Sequence, residues 1–300
     1  MKINTQSLFA VVGAGIWGNA FAKSLRMAGQ EVIIWDRRQD SSKTIISLKQ
    51  CNEADFIVLA LPIQVIRGFL NENSDFLRPG QKCLILSKGI EKNTLALPHE
   101  VVMECRANVR VGLVSGPNFA DEVARGLPAV STLATQDIKI ATVMDALHCN
   151  IRFELCQDLT GVALCGAIKN VIAIGCGIIS GIFGSQNMQV AFIMRTIEEL
   201  KQLVEHLGGS NDTVYTPAGI GDIILTATSM QSRNYSFGYH MAMNKHETTG
   251  GKTIEGVETA TALHQMIKRH KLKLDALSYI SQVIQDGDIN KDMILEMCRT

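Results

Sequence analysis

Leu8-Phe9-Ala10-Val11-Val12-Gly13-Ala14-Gly15-Ile16-Trp17-Gly18 is a short apolar run that breaks into spaced glycines and resumes as a helical pattern closing at Gly29. This order predicts strand, tight turn and helix. Glu31–Trp35 reads as a second strand, so Leu8 to Asp36 has the roughly 30-residue length of a βαβ crossover. Further apolar runs at Phe56–Leu61, Cys83–Ser87, Val109–Val114 and Val130–Ala134 predict buried strands, with helices around Ile63–Leu70 and Ile138–Leu147. Strands alternating with helices imply a mostly parallel, doubly wound sheet. After Ile151-Arg152-Phe153-Glu154 the pattern turns helical, with Asp158–Ile182, Ala191–Leu207, Ile220–Thr228, Glu258–His270 and Leu274–Gln285 as the expected helices. The fold class is therefore α/β, with a sheet domain over 1–156 followed by an all-α domain over 157–300.

Composition narrows the function classes. Among 300 residues, 29 Lys and Arg balance 29 Asp and Glu, which argues against a protein built to grip nucleic-acid phosphates. A hydrophobic share of 46% supports sizeable cores. The 8 cysteines include no Cys-x-x-Cys pair, so reduced thiols in a cytoplasmic protein are expected rather than a metal or disulfide framework. Met1–Ala22 superficially resembles a secretory leader, but its glycines fit the turn motif better. Leu159–Phe183 is long and apolar enough to span a bilayer, yet Lys169 near its middle would cost roughly 2.5–3.5 kcal/mol there. A buried helix, and no membrane span, is the expectation.

The glycine spacing carries the first chemistry. Gly13 allows the turn off the strand, Gly15 lets backbone approach a pyrophosphate, and Gly18 permits helix and sheet to pack closely. The helix opening at Ile16 and Trp17 then aims its N-terminus at the anion. Asp36 ends the second strand, where a carboxylate accepts hydrogen bonds from an adenosine ribose. Arg37 and Arg38 follow, and guanidinium groups there could hold a 2′-phosphate that Asp36 would repel. A dinucleotide, NAD or NADP, is expected, with the preference left open.

Four further stretches stand in order behind this motif: Ser87-Lys88-Gly89-Ile90-Glu91, Ser115-Gly116-Pro117-Asn118-Phe119-Ala120, Leu164-Cys165-Gly166-Ala167-Ile168-Lys169-Asn170, and Gly219-Ile220-Gly221-Asp222 through Ser232-Arg233-Asn234. Together they resemble the bacterial NAD(P)-dependent glycerol-3-phosphate dehydrogenase family over nearly the whole chain. The resemblance implies a Rossmann-type domain, reduction of dihydroxyacetone phosphate to sn-glycerol 3-phosphate for phospholipid synthesis, and a homodimer.

The resemblance makes Lys169 the general acid/base, and burial in an apolar helix would lower a lysine pKa toward a value useful for proton transfer. Asp222 and Thr226 match substrate contacts, and their i, i+4 spacing would put them on one helix face. Asp222 could also orient Lys169. Arg233 supplies a fork suited to phosphate, with Ser232 and Asn234 as further donors and Asn170 beside the lysine. The resemblance places Lys88 against cofactor and substrate, Gly116 and Asn118 at the substrate, and Ala120 and Glu255 at the cofactor, which Arg233 also meets. The sequence departs from the family in having 19 residues between Asp36 and Phe56, Ile16 where Ser is common, Asn118 for Ser or Thr, and Pro217 before Ala218-Gly219. A dehydrogenase acting on a hydroxy-acid carboxylate and a non-catalytic dinucleotide sensor are the competing readings.

Overall fold

The computed structural model describes residues 6–37, 46–243 and 254–299, so Arg38 lies outside the described residues. The chain divides into two compact units, Met1–Ser87 with Pro98–Leu159, and Lys88–Leu97 with Thr160–Thr300.

The first unit runs β1 (Leu8–Val12), α1 (Ile16–Met27), β2 (Glu31–Trp35), α2 (Leu48–Cys51), β3 (Phe56–Leu59), α3 (Ile63–Glu72), β4 (Lys82–Ile85), α4 (Pro98–Cys105), β5 (Arg110–Ser115), α5 (Ala120–Ala124), β6 (Ala129–Thr135), α6 (Ile138–Asp145) and β7 (Ile151–Cys156). The strands form one sheet in the order β2-β1-β3-β4-β5-β6-β7. Every pairing is parallel except β5 with β6. Phe9, Val11, Phe56, Val58 and Leu84 are buried on one face with Phe21 and Leu25 of α1, which is why these strands are continuous apolar runs rather than alternating ones. Because β1 pairs with β2 on one side and β3 on the other, strand order reverses at the carboxyl end of β1. Open α/β sheets bind ligands at such a reversal.

Sequence reading placed no strand at Ile151–Cys156. There Ile151 and Phe153 are buried while Arg152 is exposed, and Arg152 pairs with Glu154 at 2.8 Å. This period-2 alternation marks a strand with one wet face, whereas the other strands were found by unbroken apolarity.

The second unit is helical: α7 (Leu159–Phe183), α8 (Gln186–His206), a 3₁₀ turn at Asn211–Tyr215, a π turn at Pro217–Gly221, α9 (Asp222–Ala227), α10 (Arg233–Ala242), α11 (Glu255–His270), α12 (Asp275–Asp286) and α13 (Lys291–Met297). The mixed α/β and all-α class expected from the sequence is what the chain forms. Boundaries moved where a cap decided them. α8 starts at Gln186, earlier than the apolar spacing implies, because the Ser185 side chain accepts from Met188 N. α7 is the single helix among the described residues long and apolar enough to cross a membrane, and its most apolar window is wholly buried inside the protein.

Asn170, Ile174, Gly177 and Gly181 follow one another at helical spacing along α7, and α10 lies against that stripe. A Cβ on Gly177 would stand 2.1 Å from the Tyr235 carbonyl oxygen, and one on Gly238 would stand 2.1 Å from that of Ile174. The two backbones therefore touch, which only glycine permits. This docking sets α10, and the Arg233 that begins it, beside the α7 turn bearing Lys169 and Asn170.

Candidate active site

In the sheet unit, the Gly13 backbone N–H donates to the Trp35 carbonyl at 2.8 Å, tying the turn after β1 to the end of β2. Gly13 has φ of 110°, and a Cβ there would lie 2.6 Å from the Ala60 oxygen. A Cβ on Gly18 would lie 2.2 Å from the Gly13 oxygen, so α1 starts hard against the turn. Gly15 is the N-cap and no side chain caps the helix. The first-turn N–H groups are thus presented as an anion site, a geometry that fits a dinucleotide pyrophosphate. Asp36 Oδ2 accepts the Ala14 N–H at 2.9 Å, so this carboxylate also braces the turn. Ile16, the first residue of α1, is exposed, Arg37 is exposed, and Trp17 is tilted on Phe21 at 6.0 Å.

Gly116, Asn118 and Ala120 also belong to the sheet unit, in the loop after β5 and the first turn of α5. A Cβ on Gly116 would meet the Val130 oxygen at 2.8 Å. Asn118 Nδ2 donates to Ser131 Oγ at 2.8 Å, while its Oδ1 and the Ser115 hydroxyl are buried with no hydrogen-bond partner among the described residues. Ser131 was not foreseen, because nothing near it in sequence signals its pairing across β5 and β6.

Lys88, Lys169, Asn170, Asp222, Thr226, Ser232, Arg233, Asn234 and Glu255 all fall in the helical unit. Asp222 is only 2% exposed and receives two ammonium groups, Lys169 Nζ on Oδ1 at 3.0 Å and Lys88 Nζ on Oδ2 at 2.5 Å. Thr226, one turn on, accepts from Lys169 at 2.9 Å and donates to Asp222 Oδ1 at 3.0 Å. The i, i+4 face expected for Asp222 and Thr226 is thus the face that meets Lys169. Lys88 enters through the segment Lys88–Leu97, which the helical unit holds by Lys92 to Glu258 at 3.2 Å and Arg269 to the Thr94 carbonyl at 3.3 Å.

The electrostatics follow from burial and partners. Burial pushes the Lys169 pKa down, and Lys88 pushes the same way. Attraction to Asp222 and, more weakly, Glu255 opposes the shift without cancelling it. Burial alone would raise Asp222, but the two lysines overcome it and hold the carboxyl below its usual range. The carboxylate stays ionised while the ammonium of Lys169 is eased toward release of its proton.

Arg233 begins α10, with Ser232 as its N-cap accepting from Tyr235 N at 3.3 Å. Asn234 Nδ2 donates to Asn170 Oδ1 at 2.8 Å, and Asn234 Oδ1 accepts the Gly256 N–H at 3.0 Å. Asn234 therefore locks together the three helices that carry Lys169, Arg233 and Glu255. Asn170 Nδ2 is buried without a partner among the described residues, a donor with capacity to spare. Arg233 and Glu255 approach only to 3.9 Å and are both more than half exposed, so this pair constrains the guanidinium little. Lys88, Lys169, Asp222 and Thr226 form one connected set of side chains, while Arg233 stands beside Asn234, whose side chain bonds to Asn170, the residue after Lys169. Gly256 was missed, since its part is played by a backbone N–H.

The geometry has clear counterparts. A family model described as NAD-dependent glycerol-3-phosphate dehydrogenase C-terminus matches residues 158–295, and its N-terminal companion matches 9–52 and 46–141. A protein of Gluconobacter oxydans named glycerol-3-phosphate dehydrogenase, NAD(P)+, is 34% identical over 95% of this chain and 94% of its own length. One of the same name from Parvibaculum lavamentivorans is 33% identical over 92% and 91%. The crystal structure of glycerol-3-phosphate dehydrogenase from Coxiella burnetii superposes with a TM-score of 0.89 at 25% identity, covering 98% of this chain and 99% of that one.

Proposed function

The chain belongs to the NAD-dependent glycerol-3-phosphate dehydrogenase family, and on that premise we propose that Lys169 moves the proton in a reversible reduction of dihydroxyacetone phosphate to sn-glycerol 3-phosphate. The observation that carries this reading is the Lys169 ammonium, held within an apolar helix between Asp222 and Thr226. The glycine turn and the open start of α1 would hold NAD or NADP, which when bound would supply the hydride for reduction of the ketone.

Reduction at carbon leaves negative charge growing on the C2 oxygen, which a nearby proton donor relieves. Lys169 fills that role because burial makes its proton easier to give. In the reverse direction the neutral amine takes the proton from the alcohol. Asp222 fixes where the amine stands and, through Lys88, keeps a second positive charge at the site. Arg233 offers a planar fork to the phosphate, and the spare N–H of Asn170, the residue after the lysine, is assigned to a substrate oxygen. Gly116 and Asn118 are assigned to the substrate. Gly13, Gly15, Ile16, Trp17, Gly18, Asp36, Arg37, Arg38, Ala120 and Glu255 are assigned to the cofactor, which Lys88 and Arg233 also contact.

Two predictions arise here. Replacing Arg233 by Ala should weaken phosphate-bearing substrates by about 1.5–3 kcal/mol per charge-assisted hydrogen bond lost. An analogue without the phosphate should hardly respond, whereas equal losses for both would assign Arg233 to folding. The second concerns pH. Ketone reduction needs protonated Lys169, so kcat should fall as pH rises through its pKa, and that fall should begin below the ordinary lysine value of about 10.4. Alcohol oxidation needs the neutral amine and should rise over the same interval. Profiles of the same sign in both directions would remove Lys169 from the proton transfer.

The same reading gives a dinucleotide domain over 1–156, a substrate domain over 157–300, a cytoplasmic homodimer without a membrane span, and a product that serves phospholipid synthesis. The ratio of kcat/KM for NADPH and NADH tests whether Arg37 and Arg38 outweigh Asp36 at the ribose.

A further inference from the structure

We propose that His206 and His270 form a chelating site for a late first-row divalent cation of the Zn²⁺ or Ni²⁺ type on the helical unit. His206 Nε2 and His270 Nδ1 stand 3.1 Å apart, with ring centroids at 5.0 Å and planes nearly perpendicular at 84°. On one metal at ~2.05 Å from each nitrogen, two imidazole nitrogens would lie about 2.9 Å apart at a right angle and about 3.3 Å apart at the tetrahedral angle. The observed separation falls between those limits, so the two nitrogens need little change in their distance to share one metal, each ring turning to aim its near lone pair at it.

His206 is the last residue of α8 and His270 the last of α11, and helix C-termini favour cations. Their spacing is set by packed structure. Glu199 of α8 accepts the backbone N–H groups of Ala276 and Leu277 at 2.9 and 2.8 Å, binding α8 to the start of α12, and α12 packs along α11. Of the basic residues beside His270, Arg269 is turned away, its guanidinium donating to the Thr94 carbonyl at 3.3 Å. The hydrogen now shared between the two rings shifts to the far nitrogen of the ring that carries it, leaving both near lone pairs for the metal with no net proton change. Among the described residues no third His, Cys, Asp or Glu joins the pair, so water completes the coordination and the cation exchanges freely. Imidazole ligands select Zn²⁺ and Ni²⁺ over Mg²⁺.

The test is calorimetric titration of the full-length, tag-free protein with ZnCl₂, NiCl₂ and MgCl₂, together with thermal unfolding in each salt. One equivalent of Zn²⁺ and of Ni²⁺ should bind and raise the Tm, and Mg²⁺ should do neither. His206→Ala and His270→Ala should each weaken binding by at least the 10–100-fold typical of losing even an outer partner of a metal site. Their turnover of dihydroxyacetone phosphate should be unchanged. His206→Gln, which retains hydrogen-bonding groups without an imidazole lone pair, should lose the site while keeping the metal-free Tm. Absence of stoichiometric binding, or wild-type affinity in the variants, would overturn the proposal and leave the pair as an imidazole–imidazole hydrogen bond.

Discussion

Lys169→Ala is expected to lower kcat by roughly 10²–10⁴-fold, or about 3–5.5 kcal/mol of barrier, while dinucleotide binding is nearly unaffected. The separation is expected because the residues assigned to the pyrophosphate lie in the sheet unit and Lys169 in the helical one. The fold should tolerate the change, since Asp222 retains Lys88 and the carboxylate is not stranded. Steady-state kinetics with either reduced cofactor, together with fluorescence titration of the cofactor, checks both halves. Unchanged turnover would eliminate the acid/base assignment, and a parallel loss of dinucleotide affinity would point to a wider structural disturbance.

The second large effect is on stability. Asp222→Ala removes the one carboxylate between two ammonium groups, of which Lys169 is 12% and Lys88 18% exposed. Breaking a buried pair by deleting one partner typically costs about 3–5 kcal/mol. For a unit of this size that corresponds to a Tm lowered by on the order of 10 °C. The pH dependence has a definite sign. The Asp222 pKa is lower folded than unfolded, so its contribution is complete above the ordinary carboxylate value of about 3.9 and disappears as pH falls through the lower, folded value. The stability gap between wild type and Asp222→Ala should therefore close in acid. A gap independent of pH would mean that packing rather than charge had been lost. Asp222→Asn keeps the shape and separates the two causes.

Much of the sheet unit was legible because its signals are local. The glycine spacing after Val12 and the apolar runs of β1, β3, β4 and β5 depend on residues close in sequence. β7 escaped because it is half wet and reads by alternation. Arg233 shows the opposite limit. Its residue type suits phosphate, but its place at the start of α10 depends on Gly177 and Gly238 letting two helix backbones touch. Neither glycine announces that contact, since glycine in a helical segment ordinarily reads only as a weak former. Asn118 is similar: its candidacy came from the family resemblance of its loop, while its pairing with Ser131 required β6 to return antiparallel beside β5.

By itself, the order of residues determined the two-part architecture, the nucleotide turn and the kinds of side chain available for the chemistry, because strand and helix periodicity and turn conformation act over a few positions. Only the tertiary structure decided that Lys88, Lys169 and Asp222 share one charge cluster and that Asn234 ties the start of α10 to Asn170 of α7. It also brought His206 within 3.1 Å of His270. Those groups are separated by tens to more than a hundred residues, and their meeting is set by how whole helices pack, which no local pattern encodes.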